Sequence, residues 1–238
     1  MALPMQSTPT FNLVVPSTGK TVRYRPFLVK EEKALLIAQQ TEDMKVMVDT
    51  LRQVLRGCIM DDIDVNKLAT FDLEYMFLQI RGKSVGETVD LLFQCDEDHG
   101  EQNEKARVKI TIDLSQIEVE RNPDHTNKIL LFNGVGIVMK YPTLELAEEM
   151  SEMSNVEDVF NLVAESVDYI YDGDDVYYAS ETKKEEILQF LNNLTTEQFL
   201  KVQKFFEDMP KLKFEVDYKC PICGKAHHKT LEGLSNFF

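Results

Sequence analysis

Apolar positions change period several times along the chain, and each change marks an element. Phe11, Leu13 and Val15 alternate with polar residues among Pro4, Pro9, Pro16 and Gly19, so residues 1–20 read as an extended segment with one short strand. Residues 22–27 form a strand stopped at Pro26. Residues 31–40 read as a helix with acids in its first turn, and 43–60 as a second, with Val48, Leu51, Val54, Leu55 and Cys58 recurring at a period of about 3.6. A third helix spans 70–82, with Thr70 as its N-cap and Gly82 as its stop. The period then drops to two: residues 88–95 and 107–112 predict a hairpin across the polar turn 96–104, closed by 113–117.

The second half runs through a similar order. Residues 136–142 form a strand stopped at Pro142, followed by helices over 144–153, 156–170, 182–191 and 195–208. The last opens at Thr195 and ends before Pro210; strands 213–220 and 226–230 then flank a tight turn. Pro26 and Pro142 correspond at an offset of 116, Tyr75 and Phe199 at 124, Cys95 and Cys220 at 125, and Leu114 and Leu231 at 117. The expected fold is α+β and internally duplicated, each half a small helical bundle plus a β-hairpin. Its parts are an extended segment 1–20, a first repeat 21–120, a connector 121–135, and a second repeat 136–238 that carries the C-terminal hairpin.

Composition narrows the function. Among 238 residues, 41 Asp and Glu oppose 26 Lys and Arg, a formal net charge of −15, and hydrophobic residues reach 43%. That apolar content excludes a globally disordered chain. The acidic balance argues against a general nucleic-acid binder and against an anionic membrane surface. No uncharged apolar run approaches the about 18 residues of a spanning helix, and the first residues lack the pattern of a secretory signal. The charge is uneven: residues 141–182 hold twelve acids and no Lys or Arg, whereas 211–229 hold five lysines. An acidic helical face and a mildly basic C-terminal hairpin point to docking against charged protein partners.

Of four cysteines, Cys58 lies on an apolar helical stripe and reads as a small buried hydrophobe. Cys220 and Cys223 form a C-x2-C turn followed by Gly224, the spacing of a zinc knuckle, and His227 could add an imidazole. Cys220, Cys223 and His227 are therefore the candidate ligands of a structural zinc. The fourth ligand is left open between His228, which needs an irregular backbone, and Cys95 or His99, which need the two hairpins to meet. The turn 95–100 reads otherwise as a polar hairpin turn. The Asp clusters at 61–64 and 172–175 lack the ligand register of an EF-hand and read as helix-ending turns. No GxSxG, Walker A, GxGxxG or HExxH motif is present, so no catalytic residue is expected and the chain is not read as an enzyme.

Three segments carry a family likeness: YMFLQIRGKSVGE at 75–87 with the Cys95 hairpin, GVGIVMKYPT at 134–143, and CPICGK at 220–225 leading to LEGLSNFF at 231–238. Together they resemble the baseplate hub protein family of T-even-like contractile-tailed phages, from about residue 20 to the end. The resemblance implies a hub subunit or hub-assembly factor without enzymatic activity. It would act in the host cytoplasm during assembly or in the virion tail, with other baseplate hub or tail proteins as partners. The terminal Phe237–Phe238 pair is a candidate apolar anchor for them, or packs back on Leu231 and Leu234. Two other roles stay open: a chaperone of hub assembly absent from the particle, and a zinc-knuckle regulator that binds nucleic acid through 211–229.

Overall fold

A computed structural model describes residues 7–41, 43–144, 146 and 155–233, apart from the side chain of Met44. In chain order its elements begin with β1 (Phe11–Val14), β2 (Thr21–Tyr24), α1 (Val29–Thr41), α2 (Met44–Cys58) and α3 (Thr70–Ser84). Next come β3 (Thr88–Gln94), β4 (Arg107–Asp113), β5 (Glu118–Glu120), β6 (Lys128–Phe132), β7 (Val135–Met139) and α4 (Val156–Glu165). The rest are β8 (Val167–Asp172), β9 (Asp175–Tyr178), α5 (Lys184–Asn192), α6 (Thr196–Glu207), β10 (Lys211–Lys219) and β11 (Ala226–Glu232). The fold is α+β and divides into two compact units: one joins the chain up to Glu120 with the chain from Lys211, the other is Arg121–Pro210.

In the first unit β1 pairs with β2, β3 with β4, and β11, β10 and β5 form a three-stranded antiparallel sheet. Asp43 caps α2 by accepting from the Lys45 and Val46 N–H groups, and the apolar stripe ending at Cys58 is buried. Helix α3 buries Phe71, Leu73, Met76, Phe77, Leu78 and Ile80, which lie on nearly all its sides, so it is the unit's central helix. Leu78 packs with Ile112, Leu114, Ile117, Leu212 and Val216. Both ends of α3 differ from the sequence expectation. Ala69, not Thr70, sits at the cap, and buried Asp72 accepts the Ala69 N–H at 3.3 Å and the Ser17 N–H at 2.7 Å. Gly82 is buried inside the helix, which continues to Ser84, whose hydroxyl donates to the Ile80 carbonyl at 2.6 Å. The chain turns instead at Gly86, where φ is 148°.

In the second unit β6, β7, β8 and β9 form an antiparallel sheet in sequence order. Its inner face packs Ile129, Leu131, Ile137 and Met139 against Val163, Leu191, Val202 and Phe205 of the helices. Asn155 and Asp158 cap α4 reciprocally, as Thr195 and Gln198 cap α6. The helix expected over 156–170 is a helix only to Glu165. Val167, Tyr169 and Tyr171 alternate at period two and are β-branched or aromatic, so this stretch pairs as β8 with β7 and β9. The expected connector 121–135 likewise contains β6. Most of the expected helix 144–153, and the Phe237–Phe238 pair, lie outside the described residues.

The expected duplication does not emerge as two matching halves. The order hairpin, helices, hairpin does recur, as β1–β2, α1–α3, β3–β4 and then β6–β7, α4–α6, β10–β11. Strands β8 and β9, however, have no counterpart in the first run, because they complete the sheet of the second unit. The expected second repeat 136–238 is also divided. Its C-terminal hairpin belongs to the first unit, because β10 pairs with β5 through Leu212 and Val119. No described helix is long and apolar enough to cross a membrane.

Arg25 and Glu31 form an ion pair at 2.8 Å in the first unit, their side chains 16% and 9% exposed, and Glu31 also accepts the Leu28 N–H at 2.8 Å. Burial opposes the Glu31 charge, but Arg25 and the Leu28 N–H outweigh it and hold the carboxyl below its usual range. Glu31→Ala strands the guanidinium and is expected to cost about 3 kcal/mol in urea unfolding of the purified chain. The folded-state value is the lower one. The pair's contribution is therefore complete above the unfolded value of about 4.3 and fades as pH falls through the folded one. The variant's deficit should shrink on acidification; a deficit independent of pH would rule the charged pair out as its source.

Candidate metal centre

The tight turn 220–225 follows from its sequence. Gly224 takes φ of 71°, a left-handed conformation that costs glycine little. This lets the Gly224 N–H reach the Cys220 carbonyl and the Cys220 N–H reach the Lys225 carbonyl, both at 2.9 Å. The folded-back turn aims the Ile222 N–H at the Cys220 sulfur, 3.4 Å away. The β3–β4 hairpin supplies the facing half. Its Cys95 follows β3, and its N–H donates to the Ala106 carbonyl at 3.3 Å. His99 precedes a 3-10 segment, Gly100–Ala106, and its N–H donates to Asn103 Oδ1 at 2.7 Å.

These two tips meet. Tyr218 Oη donates to the Gln94 carbonyl at 2.9 Å, and its ring lies 5.3 Å from Phe93. Lys229 pairs with Asp96 at 3.0 Å, and Lys225 pairs with Glu97. Between the tips, ligand atoms of Cys95, His99, Cys220 and Cys223 all lie within 4.8 Å of one another. Cys95 Sγ is 3.9 Å from Cys223 Sγ, and Cys220 Sγ is 3.5 Å from His99 Nε2. Cys95 and Cys220 are buried, His99 is half-buried and Cys223 is exposed. This cluster could hold a metal ion.

The sulfurs do not titrate alike. Burial opposes ionisation of Cys220, but the N–H groups of Cys223 and Ile222, together with the Cys223 and Cys95 thiols, outweigh it and bring its pKa down to about 6. Cys95 is raised, first by burial and then by the neighbouring Cys220 and Cys223, against a lowering N–H from Glu97. The two shifts are opposite in sign, because ionisation of one thiol disfavours ionisation of its neighbour. A bound cation removes that conflict, since thiolates are the ligating form.

Of the ligands expected from sequence, Cys220 and Cys223 are in the cluster. His227 stands beside it: Nε2 is 3.2 Å from Cys95 Sγ, Nδ1 is 3.3 Å from Asp96 Oδ2, and the ring stacks on Tyr218 at 4.9 Å. His228 faces away and pairs with Asp217 at 2.8 Å. The 95–100 turn, read chiefly as a polar turn, contributes two of the four donors. Its signal in the sequence is the Cys-x3-His spacing at the end of a strand that matches the strand before Cys220. Cys58, the last residue of α2, is fully buried in the first unit, and burial pushes its thiol up to about 11.

A family model described as T4 bacteriophage base plate protein matches residues 8–238. No curated protein and no solved structure matches the chain.

The exposures separate the cysteines by reactivity. With a chelator present, iodoacetamide should label Cys223 first and leave Cys58 unlabelled until the chain is denatured. Peptide mass mapping over a labelling time course checks this; early labelling of Cys58 would contradict its burial.

Proposed function

The chain belongs to the T4 bacteriophage base plate protein family, and on that footing we propose that it is a component of the tail baseplate hub that works through protein–protein contacts, not catalysis. The family match over residues 8–238 carries this reading. Baseplate membership makes other baseplate proteins its partners. The second unit supports a contact role: Leu130, Phe132, Val176 and Tyr178 of its sheet are exposed, and Tyr178 packs beside Tyr169 at 5.6 Å. Exposed aromatic and aliphatic side chains on a rigid sheet are the material of interface anchors. In this reading the Cys/His cluster is a structural element, since four protein donors at one centre leave no position for a substrate.

The nucleic-acid alternative loses ground on the same observations. Of the five lysines in 211–229, Lys213 pairs with Glu120 and Glu215, Lys225 with Glu97 and Lys229 with Asp96. A phosphate backbone would have to compete with these acids for the hairpin's charge.

Quantitative mass spectrometry of purified particles beside infected-cell lysate tests the role. A hub subunit is expected in particles at a fixed ratio to the other baseplate proteins. Presence in lysate with absence from particles would transfer the chain to the assembly-factor role. The combined substitution Leu130→Asp and Tyr178→Ala should leave the chain's thermal unfolding nearly unchanged, as both sites are exposed, while reducing its incorporation. Normal incorporation of that variant would remove this sheet face from the contact.

A further inference from the structure

We infer that Cys95, His99, Cys220 and Cys223 bind one structural zinc ion, and that His227 is a positioning residue that holds the Cys95 sulfur. This deepens, and rests on, the reading of the cluster as structural.

The geometry selects the ion. Zinc bonds of about 2.3 Å to sulfur and about 2.0 Å to nitrogen give tetrahedral S···S edges of about 3.8 Å and S···N edges of about 3.5 Å. The Cys95–Cys223 and Cys220–His99 separations are 3.9 and 3.5 Å. Three thiols and one imidazole, all within 4.8 Å of one another, form a soft donor set, which suits zinc over the oxygen-seeking calcium and magnesium. Four protein donors close the coordination sphere, as in structural rather than catalytic sites.

His227 is buried, with both ring nitrogens engaged by Cys95 and Asp96 and one ring face on Tyr218. That is the setting of a group that orients a ligand, not of a ligand itself. Asp96 in turn is held by Lys229 at 3.0 Å. A chain of contacts thus runs from the surface lysine to the metal-facing sulfur.

The ion also joins distant chain. Cys95 and Cys223 are 128 residues apart, and the whole second unit, Arg121–Pro210, lies between them in sequence. Zinc at this centre is a cross-link between the β3–β4 and β10–β11 hairpins, and its removal should loosen their tips first.

The test uses the full chain purified under reducing conditions without chelator. Elemental analysis should find one zinc per chain, and exchange with cobalt(II) should give the intense visible bands of a tetrahedral thiolate site. His99→Gln and Cys223→Ser should each weaken zinc binding by on the order of 100-fold or more in competition with a chromophoric chelator. His227→Gln should keep one zinc per chain but bind it 10- to 100-fold more weakly, the effect expected of an outer-shell partner. Absence of zinc together with no cobalt bands in the wild-type chain overturns the proposal. So does loss of metal in His227→Gln with retention in His99→Gln. If ligand variants do not fold, alkylation of the wild-type chain decides: zinc should protect Cys95, Cys220 and Cys223 together and leave Cys58 unchanged. Protection of Cys220 and Cys223 alone overturns the four-residue set. All these readouts concern the isolated chain, so their failure is distinct from absence of the protein from particles.

Discussion

Strand β10 returns to β5 through Lys211 opposite Glu120, Leu212 opposite Val119 and Lys213 opposite Glu118, and the plan of the molecule hangs on that short ladder. Leu212 is fully buried and packs in the same core as Leu78, Ile112 and Leu114. The chain therefore leaves the first unit at Glu120 and re-enters it at the residue paired with Glu120. Neighbouring exit and entry points are what a domain needs in order to tolerate a long insertion. The ladder works with Val216, Tyr218 and Leu231, which share that core, to keep the C-terminal hairpin with residues before 120, where Cys220 and Cys223 face Cys95 and His99.

Local signals are legible in the sequence because they depend on neighbours in the chain. The stripe from Val48 to Cys58 is a helix face, the 88–112 alternation is a hairpin, and Thr195 is a cap; each follows from spacing alone. Other differences involve partners far along the chain, although the Ala69 cap and the β6–β7 and β8–β9 hairpins are set by near neighbours. Gly82 carries the local signal of a helix stop, yet α3 is buried nearly all round and packing carries it past a residue of poor helix propensity. Val167–Asp172 follows a helix without a stop signal, yet it pairs as a strand with β7 and β9. The matching ends of the two hairpins were visible as Cys95 and Cys220, but nothing local says that those ends touch. That depends on β10 finding β5. Hence the spacing alone leaves His99 as one of several candidate fourth ligands, and His227, four residues from Cys223, lies against the Cys95 sulfur at 3.2 Å.

Charge at the hairpin tips follows the same pattern. Taken as a string, 211–229 is a basic segment and 96–101 an acidic one. In space Lys225 meets Glu97 and Lys229 meets Asp96, so much of the apparent basic face is spent within the unit. The chain's net charge of −15 is then carried mainly elsewhere. In the second unit the β8–β9 turn, with Asp172, Asp174 and Asp175, borders the exposed Val176 and Tyr178. An apolar patch with an acidic rim favours partners with a basic rim, through steering and through exclusion of like-charged surfaces.

Several contacts hold the two tips together, the Tyr218 Oη bond to the Gln94 carbonyl at 2.9 Å among them. The apolar core there is small: Cys95, Ala106 and Cys220 form it, with Tyr218 alongside. The two lysine–carboxylate pairs are solvent-exposed, and such pairs contribute little against water and salt. The Cys95 and Cys223 sulfurs are 3.9 Å apart, a van der Waals separation and not a covalent link. The β10–β5 ladder anchors the base of the C-terminal hairpin, but its contacts end at Lys213, seven residues before Cys220. Base and tip are thus held by different means. The ladder and its core fix the base, and the sulfur–imidazole cluster is the one feature at the tip whose strength can grow enough, on binding a cation, to match it.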